Sequence, residues 1–276
     1  MTLAMFLPCR AGSERVRRKN TRPFAGVEGG LLAVKLAQLE AVDALDVVIL
    51  DSNDPEVLAT GAAKQRAWRG RGELVVRPRP DALGASSTTT DALIAYALAT
   101  VECDTLAWTH VTSPLCDTSV YSTAIAAFRE RDAANDSLMA VTPVRTFLWR
   151  DGEDGPSPAN YAPEPLRWPR TQDLAPLYEV NSALFVVPRA VGVARRDRIG
   201  ERPILHVLDK ITAADVDWEE DFALAESLFA ARRDSHKAAR SEAAVERDSH
   251  KAARSEAAVE RDSHKTSRSE AAVERD

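Results

Sequence analysis

The chain has 276 residues, of which 45% are hydrophobic and 28% charged, the balance of an ordinary soluble globular protein. Its net charge of −6 argues against a general nucleic-acid-binding protein, and no stretch approaches the ~18 consecutive apolar residues of a membrane span. Cys9, Cys103 and Cys116 lack metal-ligand spacing and no signal-like leader is visible, so we expect a reduced, cytoplasmic protein.

Strand-like and helix-like segments alternate along most of the chain. Short apolar runs predict strands over residues 2–7, 46–50, 73–76, 105–110, 137–141, 184–187 and 204–208. Helical periodicity and capping residues predict helices over residues 31–42, 54–68, 89–100, 119–131 and 219–231. Such alternation is typical of an α/β fold with a mostly parallel, Rossmann-like sheet and helices on both faces.

Two regions depart from this alternation. Residues 151–176 are rich in proline and glycine, so we expect a lobe over about 145–180 inserted into a single domain of residues 1–232. Residues 233–276 consist mainly of three consecutive fourteen-residue repeats, each with equal numbers of cations and anions and a single valine. This composition predicts a polar helical or disordered tail without chemistry of its own.

A basic loop follows the first predicted strand. Its cations are Arg10, Arg15, Arg17, Arg18, Lys19 and Arg22. Gly12 lets the backbone approach an anion closely, and the Ser13 hydroxyl can donate a hydrogen bond to it. Ligands of open α/β sheets bind beyond the carboxyl ends of strands, so this position favours a polyphosphate site. A solvated surface loop and a basic arm for nucleic acid are the alternatives, and no Walker A motif occurs.

Two carboxylates precede the last predicted helix. Asp215 and Asp217 lie two residues apart on an extended segment, so their side chains point the same way and can share a hard cation such as Mg²⁺. Sites for Mg²⁺ typically combine one or two carboxylates with substrate phosphates, which links this pair to the basic loop. The alternative is that Asp217 caps the helix that begins near Trp218 while Asp215 is simply exposed.

Further polar residues follow a later strand and flank the lobe. The segment 109–115, with His110, Thr112 and Ser113, runs from a strand end into hydroxyls and a proline and is a candidate pocket wall. The alternative is an ordinary strand-to-helix turn capped by Ser113 or Ser119. Weaker candidates beside the lobe are Arg170, Gln172 and Asn181.

Taken in order, these segments resemble the acylneuraminate cytidylyltransferases, the CMP-sialic acid synthetase family. The family's opening motif, P-x-R-x-x-S-K/E-x-[ILV]-x-x-K-N, is matched by Pro8, Arg10, Ser13, Val16, Lys19 and Asn20. Later motifs resemble Arg77-Pro78 with Ser86, Ser87 and Asp91, and then the segments 110–116, 170–185 and 215–221. The match runs from about residue 3 to residue 230, and its first motif is specific.

The resemblance implies a fold of the nucleotide-diphospho-sugar transferase type. It implies a reaction in which the anomeric hydroxyl of a 2-ulosonic acid attacks the α-phosphorus of CTP and pyrophosphate leaves. The expected partners are CTP and an acidic 2-ulosonic sugar, with Mg²⁺ as cofactor and neither nucleic acid nor membrane involved. Members of the family usually dimerise through the lobe, for which the candidate anchors here are Phe147, Trp149 and Trp168.

The resemblance also assigns site residues by position. The implied catalytic residues are Arg10, Lys19 and Asp217. The implied nucleotide-binding residues are Arg10, Ala11, Gly12, Ser13, Lys19, Asn20, Arg77, Ser86 and Ser87. The implied sugar-binding residues are His110, Thr112, Ser113, Arg170, Gln172 and Asn181, with Arg170 paired to the sugar carboxylate. The implied Mg²⁺ ligands are Asp215 and Asp217.

Four positions depart from the family pattern. Glu14 stands where many members have a lysine near the phosphates. On the expected sugar side, His110 replaces a glutamine, Cys116 an arginine and Ser182 a glycine. These three changes favour a non-standard acid sugar as the substrate.

Other functions stay open on the residues alone. One is a nucleotidyltransferase that acts on a sugar 1-phosphate or another sugar, and a second is a glycosyltransferase that uses Asp215 and Asp217 as its metal motif. A third is a degenerate, non-catalytic sugar-nucleotide-binding or scaffolding protein. Nucleic-acid binding through the basic loop is the fourth, and it predicts a steep salt dependence.

Overall fold

The computed structural model describes residues 1–162 and 164–235, and Met1–Leu228 form one compact unit. The strands are β1 (Leu3–Cys9), β2 (Val47–Ser52), β3 (Glu73–Pro78), β4 (Thr105–Trp108), β5 (Ser137–Val144), β6 (Trp149–Gly152), β7 (Gly155–Pro158), β8 (Leu177–Pro188) and β9 (Pro203–Val207). The helices are α1 (Gly30–Glu40), α2 (Pro55–Ala67), α3 (Thr90–Thr100), α4 (Thr118–Arg129), α5 (Arg189–Arg195) and α6, which begins at residue 219.

The strands form a seven-stranded sheet in the order β3-β2-β1-β4-β8-β5-β9. Neighbours β3, β2, β1 and β4 are parallel, as are β5 and β9, whereas β8 runs antiparallel between β4 and β5. The predicted mostly parallel α/β sheet is therefore confirmed. The predicted repeat tail lies outside the described residues except for its first three positions, and the domain boundary at residue 232 stays a prediction.

The core is built on both faces of β1, which is buried along its whole length. Its alternate residues Ala4 and Phe6 pack with Ile94 and Leu98 of α3 on one face. The ring of Phe6 lies 4.7 Å from that of Trp108, between centroids. A strand covered on both faces reads as a continuous apolar run, which is why β1 is evident in the sequence.

Three of the described helices, α2, α3 and α4, start after short polar side chains that cap them. Asp54 caps α2 by accepting a hydrogen bond from the Glu56 backbone, with Pro55 in the first turn as the sequence indicates. Helix α3 is capped by Thr89 and α4 by Asp117, which lies between the two expected caps of α4, Ser113 and Ser119. No helix within residues 1–162 and 164–235 is both long and apolar enough to cross a bilayer.

The lobe contains structure that the sequence does not reveal. Strands β6 and β7 form an antiparallel hairpin, and β8 begins at Leu177, seven residues before the predicted strand. All of β6 and the first four residues of β8 are exposed, so neither shows the apolar alternation that marks a half-buried strand. Beyond the lobe, helix α5 has only seven residues, which is too short for a periodic signal.

Truncation of Phe6 tests the core. Phe6→Ala is expected to lower the free energy of unfolding by about 3–5 kcal/mol, because it leaves a cavity beside Trp108 in the middle of the sheet. Urea unfolding followed by Trp fluorescence measures the loss. Leu224→Ala, at a side chain that is 58% exposed, is the control and is expected to change stability by less than about 0.5 kcal/mol. Equal losses in the two variants would contradict this description of the core.

Candidate active site

The loops that leave β1, β2, β3 and β4 meet at one edge of the sheet. These strands are parallel neighbours, so their carboxyl ends lie side by side. A cavity of about 310 Å³ lies there. Its lining combines cationic, hydroxyl and apolar side chains, namely Pro8, Arg10, Arg79, Leu83, Ser86, Thr88, Thr89, Thr90, Leu93 and His110. Ligands of open α/β sheets bind at this position.

The start of the basic loop is held by two asparagines. Buried Asn20 donates from Nδ2 to the Arg10 carbonyl over 3.1 Å, and the Ala11 backbone N–H donates to Asn53 Oδ1 over 3.0 Å. Gly12 has φ of +73°, and a Cβ added to it would meet nothing within 4 Å. Glycine is therefore favoured here by backbone conformation and not by lack of space. The loop turns sharply where it reaches the cavity.

Acidic side chains already pair with most of the loop cations. The ion pairs join Arg15 and Lys19 to Asp217, Arg18 to Glu56, and Arg22 to Glu219. Among the described residues, no ion pair involves Arg10 or Arg17. Because four of the six cations already have carboxylate partners, the loop is poorly suited to be a general basic arm for nucleic acid.

The contact of Lys19 with Asp217 brings the first loop to the acidic pair. Lys19 Nζ donates to the Val216 carbonyl over 2.8 Å and lies 3.4 Å from Asp217 Oδ1. Arg15 approaches the same carboxylate oxygen at 3.4 Å. Residues almost two hundred positions apart therefore form one charged cluster at the sheet edge.

Asp215 lies beside this cluster and is largely buried. Burial raises the pKa of its carboxyl group and the nearby charge of Asp217 adds to this, whereas a hydrogen bond from Thr112 and the charge of Lys19 oppose it. The Val216 backbone N–H donates to the Thr112 carbonyl over 2.8 Å, which ties the pair to the end of β4. Asp215 Oδ1 is buried without a hydrogen-bond partner in the described chain. A buried, unpaired carboxylate oxygen is well suited to a hard cation.

Asp217 does not cap the last helix. The backbone N–H groups of Asp217 and Trp218 donate to Asp221 Oδ2, over 3.1 and 2.8 Å, so Asp221 takes the capping role. The Asp217 carboxylate stays directed at the basic loop. Within the described residues, no group of three or more His, Cys, Asp or Glu side chains could hold a metal. A divalent cation here would therefore need a bound ligand to supply coordinating atoms beyond those of Asp215 and Asp217.

A buried carboxylate holds two arginines at the ends of β2 and β3. Asp51 accepts from Arg77 Nε over 2.8 Å, from Arg79 Nε over 2.6 Å and from the Tyr96 hydroxyl over 3.1 Å. Arg77 also donates to Thr100 and lies outside the 310 Å³ lining, whereas Arg79 belongs to it. The family resemblance implies Arg77 as the nucleotide-binding arginine, whereas it is Arg79 that lines the cavity. A second Arg-Pro dipeptide, at positions 79–80, was the available signal.

A buried lysine supports the loop after β4. Lys35 of α1 donates from Nζ to the carbonyls of Ser113 and Cys116, over 2.8 and 2.9 Å, and to the Tyr121 hydroxyl over 2.6 Å. Its side chain is fully buried, and burial lowers the pKa of Lys35 to about 8. A lysine in a helical stretch has the sequence pattern of a surface residue, so local pattern does not predict this buried position.

His110 is held in one tautomer. Its Nε2 accepts from Trp108 Nε1 over 3.0 Å, so its Nδ1 donates to the Ser182 carbonyl, 3.1 Å away. Burial, followed by the charge of Arg198, lowers the pKa of His110 to about 4. A neutral ring with both nitrogens engaged forms part of the cavity wall and has no proton to exchange near neutral pH.

Two further cavities adjoin the lobe. One of about 420 Å³ is lined by Thr142, Pro143, Val144, Arg145, Thr146, Glu179, Val180, Asn181, Ser182, Lys210, Ala213 and Asp215. The other, of about 630 Å³, is lined by Pro143, Val144, Arg145, Thr171, Gln172, Leu174, Pro176, Leu177 and Tyr178. Ser182 links the first of these to the 310 Å³ cavity, because its carbonyl accepts from His110.

The remaining candidates are spread over this region. Asn181 is oriented by Thr142 within the 420 Å³ lining, and Gln172 lies in the 630 Å³ lining. Arg170 is 72% exposed, pairs with Asp173 and belongs to neither lining.

Ser86, but not Ser87, lines the 310 Å³ cavity. Two residues expected on the sugar side, Ser113 and Cys116, are instead buried beneath the site beside Lys35.

Solved structures show the same fold. They include 4-diphosphocytidyl-2C-methyl-D-erythritol synthase from Anaerococcus prevotii, with a TM-score of 0.59 and 12% identity over 83% of this chain and 98% of that one. They also include CMP:2-keto-3-deoxy-manno-octonic acid synthetase complexed with CTP, with a TM-score of 0.56 and 15% identity over 84% of this chain and 100% of that one. No family model matches the sequence, and no curated protein is significantly similar to it. The likeness establishes the fold that this chain shares with these synthases.

The buried lysine predicts a pH dependence of stability. Lys35 titrates near 8 when folded and near 10.5 when unfolded, so between these values the unfolded chain binds more protons. Relative to Lys35→Met, the wild-type protein should therefore gain up to about 1.4 kcal/mol of stability per pH unit as the pH rises through that window. Urea titrations of both proteins from pH 7 to 10 measure the difference. If the free energies of unfolding of the two proteins changed with pH in parallel, the lowered pKa of Lys35 would be contradicted.

Proposed function

We propose that this protein is a cytidylyltransferase that transfers CMP from CTP to the anomeric hydroxyl of a 2-keto-3-deoxy acid sugar and releases pyrophosphate. The observation that carries the proposal is the contact of Lys19 and Arg15 with Asp217. This contact brings a basic, glycine-containing loop beside a pair of carboxylates. Both lie at the edge of the sheet where the parallel strands end. Phosphates and a divalent cation need these two kinds of group side by side.

The nucleotide is assigned to the 310 Å³ cavity and the loop beside it. Arg10 and Arg79 supply positive charge to the cavity, and Asp51 fixes the Arg79 guanidinium so that little conformational freedom is lost on binding. Ser86 and the threonines of the lining supply hydroxyl groups for a ribose or a base. The fold shared with a synthetase complexed with CTP supports this assignment.

Asp215 and Asp217 fit Mg²⁺, because both offer carboxylate oxygens and Asp215 Oδ1 is buried without a partner in the described chain. When bound, Mg²⁺ would neutralise charge on the triphosphate and polarise its phosphoryl oxygens. Lys19 and Arg10 are the catalytic cations. They stabilise negative charge as the anomeric hydroxyl loses its proton to solvent, its oxygen bonds to the α-phosphorus, and the bond from the α-phosphorus to the oxygen bridging to the β-phosphate breaks, so that pyrophosphate leaves. Lys19 also keeps Asp217 directed at the phosphates.

The acid sugar is assigned to the 420 Å³ cavity. This cavity contains Asp215, so a sugar bound there lies beside one of the two proposed Mg²⁺ ligands. Asn181 offers an amide to the sugar, and Thr142 fixes its orientation. Ser182 and His110 form the boundary between sugar and nucleotide. An unusual boundary residue, His110, is one reason to expect a non-standard acid sugar.

Pyrophosphate release tests the function. With Mg²⁺ and a panel of 2-keto acid sugars, release is expected with CTP and not with ATP, GTP or UTP. Asp217→Asn should lower turnover by at least about 100-fold, because a charge that orders the phosphate loop and binds the cation is lost. Asp154→Asn, at an exposed carboxylate in the β6–β7 turn, is the matched control and should keep full activity. Turnover that survives in Asp217→Asn, or none in the wild type, would refute the proposal.

We also propose a homodimer formed through the lobe. Phe147 packs edge-on against Tyr161 and Trp168, with centroids 5.1 and 5.2 Å apart, yet Trp168 is 70% exposed and Trp149 is 56% exposed. Exposed tryptophans on an ordered aromatic cluster are typical interface anchors. Replacing Trp149 and Trp168 with serine should convert the dimer to a monomer in light scattering after gel filtration. A monomeric wild-type protein would contradict the proposal.

A further inference from the structure

The 420 Å³ cavity contains two cations that the family resemblance does not single out. Arg145 follows β5 directly, and Lys210 follows β9. Strand β5 is parallel to β9, with Val141 opposite Val207, so the segments that follow the two strands leave the sheet at the same edge. Two cationic side chains therefore line the same cavity, and each follows the carboxyl end of one of two adjacent strands.

Both cations are available to a ligand. Within residues 1–162 and 164–235, neither Arg145 nor Lys210 forms an ion pair, although both side chains are exposed. The acids in the same lining are Asp215, which we assign to the metal, and Glu179. Arg170, the residue first expected to bind the sugar carboxylate, is in a different situation, because it is paired with Asp173 and lies outside this lining.

The chemistry of a 2-keto acid sugar restricts where its carboxylate can bind. The carboxylate carbon is bonded directly to the anomeric carbon, which carries the attacking hydroxyl. A cation that binds this carboxylate must therefore lie in the cavity that also reaches the carboxylates of Asp215 and Asp217. Arg145 and Lys210 meet this condition, because they share their cavity with Asp215.

We propose that Arg145 and Lys210 form the carboxylate subsite that makes this protein specific for acidic sugars. This inference rests on the proposed function and deepens it. Arg145 offers a planar guanidinium that can bind a carboxylate through two hydrogen bonds, and Lys210 adds a second charge from the turn that follows β9. The negative charge of Glu179 in the same lining repels an anion and lowers the affinity of the subsite for a carboxylate.

The experiment compares 2-keto-3-deoxy-manno-octonic acid and N-acetylneuraminic acid with their methyl esters, under saturating CTP. The measured quantity is the ratio of kcat/KM for the acid to kcat/KM for the ester. Arg145→Met and Lys210→Met should each lower this ratio about tenfold, and the double variant should abolish the preference for the acid. Glu179→Gln should raise the ratio. The KM for CTP should stay unchanged in all of them.

The matched control is Arg150→Met, an exposed arginine of the neighbouring strand β6 that lies outside all three linings and should keep the wild-type ratio. A loss of activity that is equal for acid and ester would indicate a structural role and overturn the inference. The inference would also be overturned if Arg170→Met lowered the ratio while Arg145→Met and Lys210→Met left it unchanged.

If no acid sugar is turned over, the proposed function fails while the subsite can still be tested. Saturation-transfer NMR of 2-keto-3-deoxy-manno-octonic acid with the full chain measures binding without chemistry. Binding that is lost in the Arg145→Met, Lys210→Met double variant and kept in Arg150→Met would support the subsite. Absence of binding to the wild-type protein would overturn it.

Discussion

The parallel alignment of four neighbouring strands is the constraint on which the rest of the structure depends. Because β3, β2, β1 and β4 run the same way, the chain leaves the sheet four times at one edge, and each exit adds polar side chains to the same place. Arg10 follows the first strand, Asn53 the second, Arg79 the third and His110 the fourth. No segment of the chain contains the site by itself, because the sheet assembles it from four loops.

Most cations of the basic loop have carboxylate partners before any ligand is present. Lys19 and Arg15 both face Asp217, and two further loop cations have their own carboxylates. A loop of unpaired cations would repel itself and lose its conformation, whereas these pairs keep it ordered while most of them stay partly hydrated.

Sequence reasoning identified what depends on local pattern. The buried strand β1, the loop after it and the Asp215–Asp217 pair were recognisable because composition and spacing alone mark them. Which of two arginines reaches the cavity depends on the buried carboxylate of Asp51, and that is a tertiary fact. Likewise, Lys35 acts through carbonyls about eighty residues away, which no local pattern encodes. The lobe hairpin was missed because its strands are exposed and have no apolar face.

The engagement of His110 on both sides affects how the cavity distinguishes ligands. With one nitrogen accepting from Trp108 and the other donating to Ser182, the imidazole has no donor or acceptor left for the interior. It presents only carbon–hydrogen edges there. Discrimination at this wall is therefore steric: molecules of different outline are separated, while isosteres that exchange an amino group for an oxygen at this point are treated alike.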